Sequence, residues 1–184
     1  MKNILLIALS VLLAMPMYAQ QKKTTPKTNT QQVSDKTETK ADEASMKKIY
    51  DEDLDPMAQI DEALELARGT GRLVMCQVGG NWCPWCIRFA DFITSDNEIR
   101  AFVEKNFVYI HVNTSKEHKN VEVMKRLGNP GRFGYPVFVL LDHEGHVLHI
   151  QNSSYLEQEK SYDRKKVLDF FRNWTSDAIY GEIK

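Results

Sequence analysis

Two cysteines with two residues between them, Cys83-Pro84-Trp85-Cys86, are the groups in this chain best suited to covalent chemistry. They fall where an apolar run, Leu73-Val74-Met75-Cys76-Gln77-Val78, gives way to a pattern of helical period. A thiol pair at a strand-to-helix junction can open and close a disulfide without unfolding the chain around it. The N-terminus of a helix carries partial positive charge and unpaired backbone N–H groups, so a thiolate there is favoured over a thiol. The thiolate is the species that attacks disulfides. On this geometry Cys83, at the helix end, is expected to be the exposed nucleophile. Cys86, one turn inside, is expected to be the shielded resolving thiol.

Other uses of the pair stay open at this point. Covalent haem attachment needs His directly after the second Cys, and Ile87 stands there instead. A structural zinc site calls for a second Cys pair or well-placed His ligands, so no metal is expected. His143, His146 and His149 have a ligand-like spacing, but they straddle a turn signal, and alternation sends neighbouring strand residues to opposite faces. They read as a solvated hairpin. The remaining cysteine, Cys76, lies in the apolar run and reads as an inert core thiol. Trp82 and Trp85 flank the thiols, either as packing or as a docking surface for extended chains.

The chain has 184 residues, with 24 basic against 25 acidic side chains. No basic stripe with interleaved aromatics occurs, so nucleic acid is not an expected partner. Residues 1–19 read as a secretory signal peptide. Lys2 supplies the positive start, residues 4–13 the apolar core, and Met17-Tyr18-Ala19 a cleavage site. Residues 20–46 are Lys-, Thr-, Gln- and Asp-rich with almost nothing apolar, and read as a disordered polar linker. Residues 47–184 are expected to form the folded domain. One close cysteine pair and one odd cysteine in an exported chain suit redox chemistry better than a disulfide framework.

Asp55-Pro56 is a helix start, and Met57, Ile60, Ala63, Leu64 and Ala67 keep helical spacing until Gly69 and Gly71. Residues 73–78 predict a buried strand. The helix opening near Cys83 carries Ile87, Ala90 and Ile93 on one side, and Asp96 caps a further stretch with Ile99, Phe102 and Val103 inward. Strands are predicted at 107–112, 137–141 and 146–150, the last two joined through Glu144-Gly145, with a short helix at 120–127. A final helix capped by Asp163 presents Val167, Leu168, Phe171 and Trp174. The expected architecture is α/β, in three layers. Strands separated by helices are expected to pair in parallel, the final hairpin adding an antiparallel edge to a central mixed sheet with helices on both faces.

Trp82-Cys83-Pro84-Trp85-Cys86 after a buried strand, with Gly134-Tyr135-Pro136 opening a later one, resembles the thioredoxin superfamily. Val137-Phe138-Val139-Leu140-Leu141-Asp142-His143-Glu144-Gly145 looks like the strand and turn that close the thioredoxin sheet. The helix before the first strand is similar to exported thioredoxin-like proteins and to the C-terminal domain of the bacterial disulfide-reductase transporter. The resemblance implies an exported thiol–disulfide oxidoreductase of a bacterial periplasm. It would reduce or isomerise protein disulfides without an organic cofactor, reset by a second, reducing redox protein such as a membrane-bound reductase. It further implies that Cys83 attacks and Cys86 resolves, and that the Tyr135–Pro136 bond is cis and lies beside Cys83 in the substrate groove, which Trp82 and Trp85 would border if they dock substrate rather than pack. The rival readings are a non-catalytic peptide-binding module and a metal-handling dithiol chaperone.

Two positions depart from the family. A buried Asp six residues before the first Cys is replaced by Gln77, which cannot take a proton. The residue before the cis proline is the bulky Tyr135. Between the thiols, Pro84 has no N–H to donate and Trp85 brings no charge, while Arg88 is expected to point away along the helix. The couple is therefore expected to be reducing, unlike strong oxidants with a first-thiol pKa near ~3.5.

Overall fold

The computed structural model describes residues 48–181. The signal and linker readings, residues 1–19 and 20–46, lie outside the described residues.

Chain order runs α1 (Pro56–Thr70), β1 (Leu73–Gly79), α2 (Pro84–Ser95), α3 (Asn97–Asn106), β2 (Phe107–Asn113) and α4 (Val121–Arg126). After a 3₁₀ turn at Pro130–Phe133 come β3 (Val137–Leu141) and β4 (Val147–Asn152). A second 3₁₀ turn, Ser153–Leu156, leads into the two-residue strands β5 (Glu157–Gln158) and β6 (Ser161–Tyr162), then α5 (Arg164–Asn173) and α6 (Ser176–Tyr180).

The main sheet has the order β2-β1-β3-β4. Strand β1 is central and buried along its whole length, which is why it reads as an unbroken apolar run. Its alternation divides the core. Leu73 and Met75 join Phe89 and Ile93 of α2, Ile99 of α3 and Phe171 of α5 on one face. Val74, Cys76 and Val78 join Ile60 and Leu64 of α1 and Val123 beside Leu127 on the other. Three layers result, as the residue pattern predicts.

Strand β1 pairs with β2 in parallel, but β3 pairs with β1 antiparallel, which corrects the expectation that helix-separated strands pair in parallel. The chain between β2 and β3, residues 114–136, does not return to the start of β2, and β3 sets out from the end where β1 and β2 finish. That end holds the dithiol.

The helix boundaries follow local chemistry. The Asp55 carboxylate accepts from Met57 N at 2.9 Å and caps α1. This helix runs through Gly69 and stops only at Gly71, which takes the left-handed conformation at φ 68°. Asp96 separates α2 from α3 by accepting from Glu98 N and Ile99 N at 3.0 and 3.1 Å. The Arg164 guanidinium donates to Asp96 at 2.7 Å and holds its carboxyl below the usual range. The β5–β6 hairpin and α6 were not foreseen. Two-residue strands are too short to show a period.

Candidate active site

Strand β1 ends at Gly79, and the turn that follows delivers Cys83. Cys83 N donates to Gly80 O at 3.1 Å. Cys83 has extended backbone and caps α2, with Pro84 in the first helical position, where a missing N–H costs nothing. The Cys83 sulfur accepts from Cys86 N at 3.1 Å, an amide it shares with the Cys83 carbonyl, so it sits at the N-terminal end of α2. Cys83 and Cys86 are joined as a disulfide with Cα atoms 5.2 Å apart. Cys86 is fully buried, and Cys83 is only 4% exposed. Cys83 is thus far less open than its helix-end position suggests, because Tyr50, Trp85 and Tyr135 pack around the pair.

Gln77 is completely buried and lies beneath the dithiol. Its Nε2 donates to the Tyr50 hydroxyl at 2.7 Å and to the Cys86 carbonyl at 3.0 Å. Its Oε1 accepts from the Tyr109 hydroxyl at 2.7 Å. Three elements are thereby tied to the turn that carries Cys86. His111 lies opposite Gln77 on β2 and meets Tyr50 and Tyr109 edge-on, with ring centroids 5.3 and 5.5 Å apart. Burial pushes its imidazole down to about 4.

Asn81 holds Tyr50 in place. Its Oδ1 accepts from Ile49 N and Tyr50 N, both at 3.0 Å, and its Nδ2 donates to Tyr50 O at 2.8 Å and Glu52 Oε1 at 3.0 Å. Sequence reasoning missed both Tyr50 and Asn81. The only signal was that Ile49 and Tyr50 are the first closely spaced large apolar residues after the polar segment.

The flanking aromatics divide. Trp82 is half exposed, donates through Nε1 to Thr114 O at 2.7 Å, and meets Tyr135 edge-on at 5.5 Å. Together with Thr114, Lys116 and Met124 they border a groove of about 580 Å³ beside the dithiol. Trp85 turns to the opposite side, edge-on to Tyr162 at 5.5 Å, and Tyr162 donates to the Trp85 carbonyl at 3.0 Å. Arg88 lies over the Trp85 ring at 4.7 Å rather than pointing away, since helix side chains lean toward the N-terminus and residues three apart meet. The Tyr135–Pro136 bond is cis, and Pro136 is buried at the start of β3.

Cys76 faces the other core layer, and burial pushes its thiol up to about 12. The three histidines of the hairpin do not share partners. His149 stacks on Trp174 at 4.1 Å, while His146 Nδ1 lies 3.1 Å from Asp142. Asp142, Glu144 and His146 come close together, but Asp142 also accepts from Glu144 N and His146 N, which makes the group a tied turn.

A thioredoxin-like family profile matches residues 55–143. Among solved structures, a disulphide isomerase from Xylella fastidiosa Temecula1 aligns with a TM-score of 0.62 at 24% identity, covering 70% of this chain and 98% of that one. A thioredoxin from Thermus thermophilus aligns at 0.46 and 24% identity, covering 64% and 85% of the two chains. DsbH oxidoreductase aligns at 0.44 and 22%, covering 60% and 77%. No curated protein matches. The parallel β2–β1 pair, the antiparallel β3–β4 edge and the disulfide at the head of α2 together make a thioredoxin-like fold. Such a fold with a Cys-x-x-Cys pair is built for thiol–disulfide exchange.

Proposed function

We propose that the protein is an exported thiol–disulfide oxidoreductase that reduces or isomerises disulfides of protein substrates. The observation that carries this reading is the position of the Cys83 sulfur at the N-terminal end of α2, accepting from Cys86 N and disulfide-bonded to a buried Cys86. An incoming disulfide is attacked by the Cys83 thiolate, forming a mixed disulfide and releasing one substrate thiolate. Cys86 then attacks Cys83, the Cys83–Cys86 bond forms, and the second substrate sulfur departs. The electrons come from the dithiol, and a second, reducing redox protein returns them, for which a membrane-bound partner suffices. No organic cofactor enters this scheme.

The groove bordered by Trp82 and Tyr135 supports an extended polypeptide as substrate, since both rings offer apolar area next to polar backbone. Tyr135 and Pro136 lead into it, while Trp85, turned toward Tyr162, serves to brace α2. Export to a periplasm rests on the N-terminal sequence pattern. The absence of charge between the thiols supports a reducing couple, since a strong oxidant owes its potential to an unusually stabilised thiolate. The test is reduction of insulin disulfides by the dithiol form, with Cys83→Ser as control. Turnover that disappears in Cys83→Ser supports the reading. Absent turnover in the reduced wild-type protein contradicts it and favours the peptide-binding alternative.

A further inference from the structure

Tyr50 enters the site from ahead of α1 and places a phenol where the dithiol lacks a carboxylate. It is 3% exposed and packs with Cys83 and Cys86. Its hydroxyl and the Cys86 sulfur converge on the same spot. A methyl group added to Gly79 would lie 2.8 Å from the Tyr50 hydroxyl and overlap Cys86 Sγ. Only glycine leaves room for both.

The donors and acceptors around Gln77 decide where the Tyr50 proton goes. The Cys86 carbonyl can only accept, so the amide group facing it is Nε2. The same nitrogen faces the Tyr50 hydroxyl and donates to it. The amide oxygen is engaged by the Tyr109 hydroxyl. Tyr50 therefore receives a hydrogen bond from Gln77, and its own O–H is left for another acceptor. The group that shares its corner of the site is Cys86 Sγ.

We propose that the Tyr50 hydroxyl donates a hydrogen bond to the Cys86 thiolate during resolution, with Gln77 and Asn81 as the positioning residues that aim it. This rests on the exchange chemistry proposed above and names the group that assists its second step. Cys86 loses its proton to solvent, its thiolate attacks Cys83 Sγ, and the Cys83–substrate bond breaks. The substrate leaves as a thiolate and is protonated by water. Tyr50 keeps its proton throughout. Burial raises its pKa well above that of a free phenol, which suits a donor and not a base. The titratable groups around it are Tyr109 and His111 from β2, Tyr162 from β6 and Cys83 on α2. Burial keeps Tyr109 and Tyr162 protonated and His111 uncharged near neutral pH.

The decisive variant is Tyr50→Phe, which keeps the ring and its edge contact with His111. Two quantities are measured. One is the ultraviolet thiolate titration of Cys86 in a Cys83→Ala background. The other is the stopped-flow rate of each step with an aromatic disulfide probe. Tyr50→Phe is expected to raise the Cys86 midpoint by about one unit or more and to slow resolution about tenfold, with the first step unchanged. An unmoved Cys86 midpoint overturns the proposal, as does an equal loss in both steps. Should Tyr50→Phe lose its cooperative melting, Asn81→Ala, which frees the segment but spares the hydroxyl, must shift the midpoint the same way. If wild-type protein never attacks the probe, the oxidoreductase reading fails, yet the Cys86 titration still decides what Tyr50 does.

Discussion

The partly buried His111 imidazole makes acid stability a quantitative test of the cluster beneath the dithiol. Its folded-state pKa is about 4, against an ordinary value of 6.5, and burial is the cause. Depressed in the fold, it contributes its full stability above about 6.5 and loses it progressively as pH falls to about 4. A shift of that size corresponds to roughly 3 kcal/mol at about 1.36 kcal/mol per unit. The perturbation is His111→Phe. Nε2 is buried without a hydrogen-bond partner among the described residues, so a phenyl ring breaks no bond there and retains the edge contacts with Tyr50 and Tyr109. Urea unfolding of the oxidised protein is followed from neutral to acid pH. Carboxylates with lowered pKa, such as Asp96, lose stability in both proteins, so the difference between the curves isolates the imidazole. Wild type should lose roughly 3 kcal/mol more than His111→Phe over that window. Parallel curves would show that the imidazole titrates normally in the fold, and the argument from burial would fail.

Asn81→Ala removes the acceptor of two backbone amides and should cost about 1–3 kcal/mol in urea unfolding; a change near zero would mean that the 49–52 segment is not held by this side chain. Cys76→Ala should leave the insulin reduction rate unchanged, because the thiol faces the opposite core layer; a large loss would make it a third redox partner. Equilibration with glutathione buffers should give a potential well below that of the strong periplasmic oxidant, about −120 mV, and a value near that figure would reverse the proposed direction of electron flow.

Much of the scaffold was legible because apolar spacing and caps mark it directly. The run from Leu73 to Val78 reads as a buried strand because it is short, unbroken and apolar, and Asp55-Pro56 and Asp96 announce their helices through side chains that accept from nearby amides. The reversal of β3 was not legible, since residues 114–136 are long enough to deliver the strand in either direction. The site was legible at the Cys83–Cys86 pair and at Tyr135-Pro136, where local chemistry is distinctive. It was not legible at Tyr50 and Asn81, which are separated by 31 residues and meet through hydrogen bonds between the Asn81 side chain and the Tyr50 backbone. Trp82 and Trp85 look equivalent beside the thiols, yet the helix start turns one toward the groove and the other toward Tyr162.

The central claim is that Cys83 attacks and Cys86 resolves. Reduced Cys86→Ser and Cys83→Ser proteins are each incubated with a disulfide-containing polypeptide, quenched with acid and separated without reductant. The account predicts a stable mixed disulfide on Cys83 in the Cys86→Ser protein and none in Cys83→Ser. Trapping through Cys86 instead, or no adduct in either protein, would contradict it.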